Sequence, residues 1–75
     1  MEIVWIVYKK EASEYCPEII GICASRERAE TIIGLPKKID ESGREYYEHT
    51  STREGRLGTL ETNTYFWIEE RKVEY

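Results

Sequence analysis

The sequence predicts an α+β fold: a single antiparallel β-sheet of about four strands, in the order β-β-α-β-β, with one short helix packed on one face. Runs of β-branched and aromatic residues near both ends of the chain predict the strands. One stretch, residues 25 to 34, has the spacing of an amphipathic helix. We expect a single domain, residues 1 to 75, because a chain of this length supports one small core.

Two strands precede the predicted helix. In "EIVWIVYK", residues 2 to 9, apolar side chains occupy both alternating faces, which is typical of a strand inside a sheet. A polar loop follows and ends at Pro17. "EIIGICA", residues 18 to 24, is the second strand. Gly21 within it indicates the close approach of a neighbouring group, such as an aromatic ring of the next strand.

The change from strand to helix falls at Ser25, which fits a helix N-cap. Gly34 and Pro36 end the helix after about ten residues. A narrow apolar stripe facing the sheet consists of Ala29, Ile32 and Ile33. Capping and packing therefore explain this junction without a ligand.

A phosphate site is the functional alternative at the same junction. Such a site needs glycines in the turn and a Lys, Ser or Thr placed to bind phosphate oxygens. This junction has one glycine, which lies too early in the sequence. We expect Arg26 and Arg28 to be solvated or paired with Glu30 instead.

The second half of the chain predicts two or three more strands. A polar loop begins at Pro36 and turns at Gly43. "REYYEHTSTR", residues 44 to 53, is rich in Tyr and Thr and indicates a strand. Residues 54 to 56 should then turn the chain.

The run from Leu57 to the C-terminus has a strand pattern almost throughout, with Asn63 as a possible site of a bulge or second turn. Alternation separates Phe66 from Trp67, and we expect Phe66 to fill the core beneath the helix. The charged end of the run, residues 69 to 75, suits the margin of a sheet, where charges oppose pairing with other chains.

Targeting and metal signals are missing from the sequence. The first apolar run, residues 3 to 8, is too short for a membrane span and lacks a basic residue before it, so we expect a cytoplasmic protein. Cys16 and Cys23 should then stay reduced, Cys23 in the core and Cys16 in a loop. Their spacing matches no zinc or redox motif and His49 is the only histidine, so no metal or cofactor is predicted.

The residue inventory predicts that the protein is not an enzyme. A nucleophile and base would need a Ser or Cys near His49; a pair of Cys23 and His49 is conceivable, but nothing in the sequence orients it. Adjacent acids such as Glu69 and Glu70 point to opposite faces of a strand. A core this small should also leave little room for a pocket of about 300 Å³ or more. The net charge of −4 argues against nucleic-acid binding.

Residues 3 to 35 contain a pattern of an opening strand, a glycine, a serine and a helix, carried by Val7, Tyr8, Gly21, Ser25, Ala29, Ile33 and Leu35. With this pattern the first half of the chain resembles a group of small uncharacterised bacterial and phage proteins. These share an opening strand of the "VYxVY" kind, then "GVYSS" and a helix of the "EEKAxxxIxxL" kind, and Ile22-Cys23-Ala24 departs from the group's valine-tyrosine-serine. The resemblance implies a compact α+β fold and a phage or mobile-element origin, and no activity.

Two functions follow as hypotheses. Small size, surplus aromatic residues and an acidic surface predict a non-catalytic protein-binding module, such as a phage-encoded inhibitor or modulator, whose partner is a host protein or a second copy. Its candidate patch is Tyr46, Tyr47, Tyr65 and Trp67, with Arg53 and Arg71 at the rim. The alternative is a small-ligand or nucleotide-binding protein with its site at a dimer interface. A phosphate would then be bound by Arg26, Arg28, Arg44 and Arg53.

Overall fold

The computed structural model describes residues 2 to 73, which form one five-stranded antiparallel sheet and one short helix. The predicted α+β class is confirmed, and a two-residue strand is added inside the expected polar loop after the helix. The order across the sheet is β2-β1-β5-β4-β3. In chain order the elements are β1 (Glu2–Glu11), β2 (Glu18–Cys23), α1 (Arg26–Ile33), β3 (Lys38–Ile39), β4 (Glu45–Gly55) and β5 (Gly58–Val73).

The ladder between β1 and β5 joins the two ends of the chain. It runs from Glu2 opposite Val73 to Glu11 opposite Thr64. With β2 on its other side, β1 is an internal strand, as its two apolar faces predicted. The prediction that residues 69 to 75 form a sheet margin agrees with the ladders for the described part, because residues 69 to 73 pair with β1 on one side while the β4–β5 ladder ends at Phe66 on the other. Residues 74 and 75 lie outside the described range.

The strand β5 is continuous, so the predicted bulge or turn at Asn63 is also wrong. Asn63 stands opposite Thr50 in the β4–β5 ladder, and its side-chain oxygen accepts a hydrogen bond from the Thr50 hydroxyl at 3.0 Å. This cross-strand bond satisfies the amide oxygen without breaking the ladder. The turn lies one residue later than predicted, since Gly55 pairs with Gly58, whose φ of 123° suits only glycine.

The β4–β5 hairpin extends beyond the rest of the sheet. Because β1 ends opposite Thr64, residues 50 to 63 form a two-stranded arm with no third strand beside it among the described residues. The arm is exposed along nearly its whole length and gives the molecule a long axis of 54 Å. Its ladder therefore depends on the sheet from which it grows, since two-stranded ribbons are marginal alone.

Both ends of α1 follow the predicted capping. The Ser25 hydroxyl accepts a hydrogen bond from the Arg28 N–H at 3.3 Å. At the other end Gly34 has φ 65°, and its N–H donates to the Glu30 carbonyl at 2.9 Å. The helix itself has 8 residues, slightly fewer than expected, because these caps lie outside it.

The core lies between α1 and one face of the sheet. Its buried members are Val7, Cys23, Ala29, Ile33 and Tyr47, with Trp5, Leu35, Phe66 and Ile68 packed around them. The predictions that Phe66 packs beneath the helix and that Cys23 is a core residue are confirmed.

A close contact between α1 and β2 explains Gly21. A Cβ atom at this glycine would stand 3.1 Å from the Cδ1 atom of Ile32. The approaching group is therefore a side chain of the helix, and the predicted aromatic ring from a neighbouring strand was wrong. Ile32 itself remains half exposed at the edge of the contact.

The turn between β3 and β4 is organised by Asp40. Its carboxylate accepts hydrogen bonds from the Ser42 hydroxyl at 2.7 Å and from the N–H groups of Ser42 and Arg44, both at 2.9 Å. These bonds, the Ser42 hydroxyl first, lower the pKa of Asp40. Gly43, with φ 87°, is the turn residue that the sequence predicted.

We predict that Ser25→Ala lowers the free energy of unfolding by about 1 kcal/mol, because the Arg28 N–H loses its acceptor. Ser25→Asp should stay close to the wild type, since a carboxylate also caps a helix start. Chemical denaturation of the three proteins measures the difference. Equal stability of Ser25→Ala and the wild type would contradict the capping role.

The two thiols should differ sharply in reactivity. Cys16 is exposed in the loop before β2, whereas Cys23 is buried under the helix. We expect a thiol reagent to modify Cys16 rapidly and Cys23 only as the protein unfolds, followed by mass spectrometry. In Cys16→Ser the rapid modification should be absent, and only the slow modification of Cys23 should remain. A disulfide in the native protein, or two equally fast thiols, would contradict this assignment.

Candidate functional site

The two faces of the sheet are distinguished by the register of the ladders. Residues directly opposite each other on antiparallel strands share a face. The face that contains Val7 and Tyr47 lies under α1. On the other face β1, β2 and β5 present a continuous apolar surface, and no described residue forms a second layer over it. We call this surface the helix-free face: Val4, Ile6, Tyr8, Ile19, Ile22, Tyr65 and Trp67.

Two stacked rings form the centre of the helix-free face. Tyr8 stands opposite Trp67 in the β1–β5 ladder, and their ring centroids are 5.3 Å apart with 10° between the planes. Stacking restrains the two rings against each other, and each remains half-buried. The paired rings form the apolar centre of the face, which we call the floor.

A ridge of isoleucines borders this floor along β2. Ile19 stands opposite Tyr8 and Ile22 opposite Ile6, on either side of an irregularity in the β1–β2 ladder. Ile19 is 53% exposed and Ile22 is 65% exposed. Large aliphatic side chains exposed next to an aromatic floor form the kind of patch that marks a binding surface.

The charged groups near the rings are neutralised locally. Arg71 donates a hydrogen bond to the Glu69 carboxylate at 3.0 Å, and Lys38 lies 3.7 Å from Glu48. Glu69, and to a lesser degree the Tyr8 hydroxyl, raises the pKa of Arg71. These pairs bring no strong net field to the face.

A cleft opens where β4 separates from β5. The β4–β5 ladder begins at Tyr47 opposite Phe66, and the two β4 residues before Tyr47 pair with β3 instead. Glu45, the first of these, is paired with Arg26 of the helix and with Lys37 at 3.3 Å. Glu45 is therefore engaged by a cation of the helix and by a cation of the segment before β3.

The cleft has a volume of about 570 Å³. The expectation that so small a core leaves little room for a pocket was therefore wrong, because the space lies between diverging strands and not inside the core. It is open to solvent and is lined by Arg26, Asp40, Arg44, Glu45, Tyr46, Tyr47, Trp67, Ile68 and Glu69.

The electrostatics of the cleft do not favour a phosphate. Its lining carries two arginines against three carboxylates. Arg26 is already paired with Glu45 and with Glu30, the latter at 3.2 Å. Of the four arginines predicted to converge, only Arg26 and Arg44 reach the cleft, while Arg28 lies exposed on the helix and Arg53 in the arm.

The structure divides the predicted aromatic patch between the two faces. By alternation along β4 and β5, Tyr46, Tyr65, Trp67 and Arg71 belong to the helix-free side. Tyr47 is 3% exposed beneath the helix and is not part of any surface. Arg53 lies on the same face of the sheet as Tyr47 and far along the arm, so it does not border the rings.

Sequence reasoning missed the β1 and β2 contributions to this surface. Val4, Ile6, Tyr8, Ile19 and Ile22 supply more than half of the helix-free face. The signal was present in β1, whose two apolar faces cannot both lie under one short helix. Which residues lie on the uncovered face could be decided only from the register of the strand ladders.

The structure does not bring Cys23 and His49 together. Cys23 on β2 and His49 on β4 are separated by two strands, which places them about 14 Å apart or more. No group of three His, Cys, Asp or Glu side chains in the described range is placed to hold a metal ion. The described residues also include no helix long and apolar enough to cross a membrane.

Comparisons with protein-family models, with curated proteins and with solved structures find no match for this chain. The resemblance of residues 3 to 35 to small bacterial and phage proteins therefore stays a prediction. The geometry of this molecule alone supports the functional argument.

The buried hydroxyl of Tyr47 generates a prediction on stability. It has no hydrogen bond of ordinary geometry, while burial and then the nearby Glu30 carboxylate raise its pKa above the usual 10.0. We expect Tyr47→Phe to raise the free energy of unfolding by about 1 kcal/mol at neutral pH, because an unsatisfied buried group is removed.

The same substitution should change the pH dependence. With a raised pKa in the folded state, the unfolded chain releases this proton first, so wild-type stability falls as pH rises past 10.0. Tyr47→Phe has no such hydroxyl, so its free energy of unfolding should not show this decrease at alkaline pH. Denaturation of both proteins from neutral to alkaline pH measures the difference, and a constant gap between them would contradict the assignment.

Proposed function

We propose that this chain is a small non-catalytic protein-binding module that contacts another protein chain through its helix-free face. The observation that carries the proposal is the stacked Tyr8–Trp67 floor with the exposed Ile19 and Ile22 ridge beside it. Aromatic side chains that already stack on each other lose less conformational entropy on binding than free ones, and aromatic residues dominate interface energetics.

The size of the chain and its small core support a binding role. The one helix occupies a single face, so the apolar residues of the other face gain burial only from outside the described chain. The resemblance to small bacterial and phage proteins adds a context, in which such a module is an inhibitor or modulator of a host protein in the cytoplasm. A phage or mobile-element origin belongs to the same proposal.

Nucleotide sequestration is less well supported by the same geometry. The cleft has an excess of carboxylates, and Arg26 is already engaged by two of the chain's acids. A phosphate bound by Arg26 would have to compete with both carboxylates and would lie beside the like charge of Glu45. Isothermal titration with a panel of nucleotides tests this alternative directly.

The test of the proposal is a capture experiment with matched variants. Immobilised wild-type protein, Trp67→Ala and Tyr65→Ala are each exposed to the untagged chain and to bacterial lysate, and bound proteins are identified by mass spectrometry. Tyr15→Ala is the control, because Tyr15 is a fully exposed aromatic residue in the loop before β2, outside the face.

We expect Trp67→Ala to weaken the association by about 2 kcal/mol or more, and Tyr65→Ala to weaken it as well. Tyr15→Ala should stay within about 0.5 kcal/mol of the wild type. Titration with the captured protein gives these values, and circular dichroism checks that each variant is folded. Folded Trp67→Ala and Tyr65→Ala proteins with undiminished association would refute the proposal.

A further inference from the structure

We propose that the occupant of the helix-free face is a second copy of this chain, packed face to face as a twofold-symmetric dimer. This inference rests on the proposed binding role of the face and names its partner. Three properties of the face support it: the balance of its charges, the complementarity of its ridge and floor, and its area.

The charges on the face cancel. Alternation along the strands places three cations and three carboxylates on this side of the part of the sheet described outside the arm, so the face has a net charge of 3 − 3 = 0 although the whole chain has −4. A neutral face has no complement in a strongly basic or acidic partner, and two such faces meet without net repulsion. The twofold axis described below sets Lys10 and Glu2 of one copy over the same residues of the second copy, at the two ends of β1, where salt screens like charges. The six residues are Lys10, Lys38 and Arg71 with Glu2, Glu48 and Glu69.

The ridge and the floor lie on opposite sides of β1. Strands β2 and β5 flank β1, so a twofold axis above β1 and parallel to it places β2 of each copy over β5 of the other. Tyr8 stands opposite both Ile19 on β2 and Trp67 on β5, so these two residues lie at one level along the strands. The axis therefore sets Ile19 of one copy on Trp67 of the second copy, twice.

The face is large enough for a stable contact. The axis above β1 brings β2, β1 and β5 of the two copies into contact. These three strands lie about 4.8 Å apart, and the 10 residues of β1 rise about 3.3 Å each, which gives a face of about 14 by 33 Å. The projected area of about 460 Å² per copy, or about 920 Å² for both, is close to the ~1,000 Å² total expected of a specific interface. Two sheets packed in this way form an ordinary aligned sandwich.

Two isoleucines of equal exposure provide the test. Ile22 on the helix-free face is 65% exposed, and Ile39 on β3 is 64% exposed. Ile39 stands opposite Glu45 and thus belongs to the helix-covered side. Ile22→Lys and Ile39→Lys therefore make the same substitution at residues of equal exposure. Ile22 lies on the helix-free face, and Ile39 lies on the opposite face of the sheet. Ile19→Lys, at 53% exposure, is an independent second variant.

Sedimentation equilibrium over a concentration series measures the mass of each purified protein, with circular dichroism to confirm folding. We expect the wild type to reach twice its chain mass of 8.9 kDa. Ile22→Lys and Ile19→Lys should each raise the dissociation constant about 30-fold or more, while Ile39→Lys changes it less than about twofold.

A wild-type protein that stays at the mass of one chain at every concentration would overturn the dimer. So would a dimer that Ile39→Lys dissociates and the two helix-free-face variants do not. A monomer that captures a foreign protein and loses it on Trp67→Ala would leave the proposed function standing without the second copy. Undiminished association of Trp67→Ala with every partner would instead refute the proposed function itself.

Discussion

The ladder between β1 and β5 ties the first described residues of the chain to the last, and both faces of the molecule depend on it. It puts Val7 beside Ile68 under the helix and Tyr8 beside Trp67 on the opposite side. The core and the candidate binding surface therefore share one set of backbone hydrogen bonds. A change in this register by one residue would exchange the two faces, because side chains alternate along a strand.

A single helix of 8 residues imposes the second constraint. It covers the sheet around Val7 and buries Ala29, Ile33 and Tyr47 there. Nothing comparable lies on the other side within residues 2 to 73, although β1 and β5 are as apolar there as beneath the helix. The apolar surface stays uncovered because the sheet has two apolar faces and the described chain has one helix to cover them. This surface is the one that we propose binds another chain.

The ion pairs of Glu45 set the charge of the cleft. Glu45 pairs with Arg26 and with Lys37 at the start of β4, where the strand diverges from β5 next to Trp67. These pairs occupy Arg26, one of the two arginines that line the cleft. The local charges thus make the cleft a poor phosphate site.

The sequence by itself determined the α+β class, the Ser25 and Gly34 caps and the core positions of Cys23 and Phe66, because capping, alternation and helical spacing are local rules. It also predicted an aromatic binding surface that includes Tyr65 and Trp67, and both of these residues lie on the helix-free face. Only the tertiary structure decided that Tyr47 is buried, that Asn63 continues its strand and that β1 and β2 supply much of the surface. Those outcomes depend on register and strand order, which pair residues as distant as Glu2 and Val73 and leave no trace in short-range spacing.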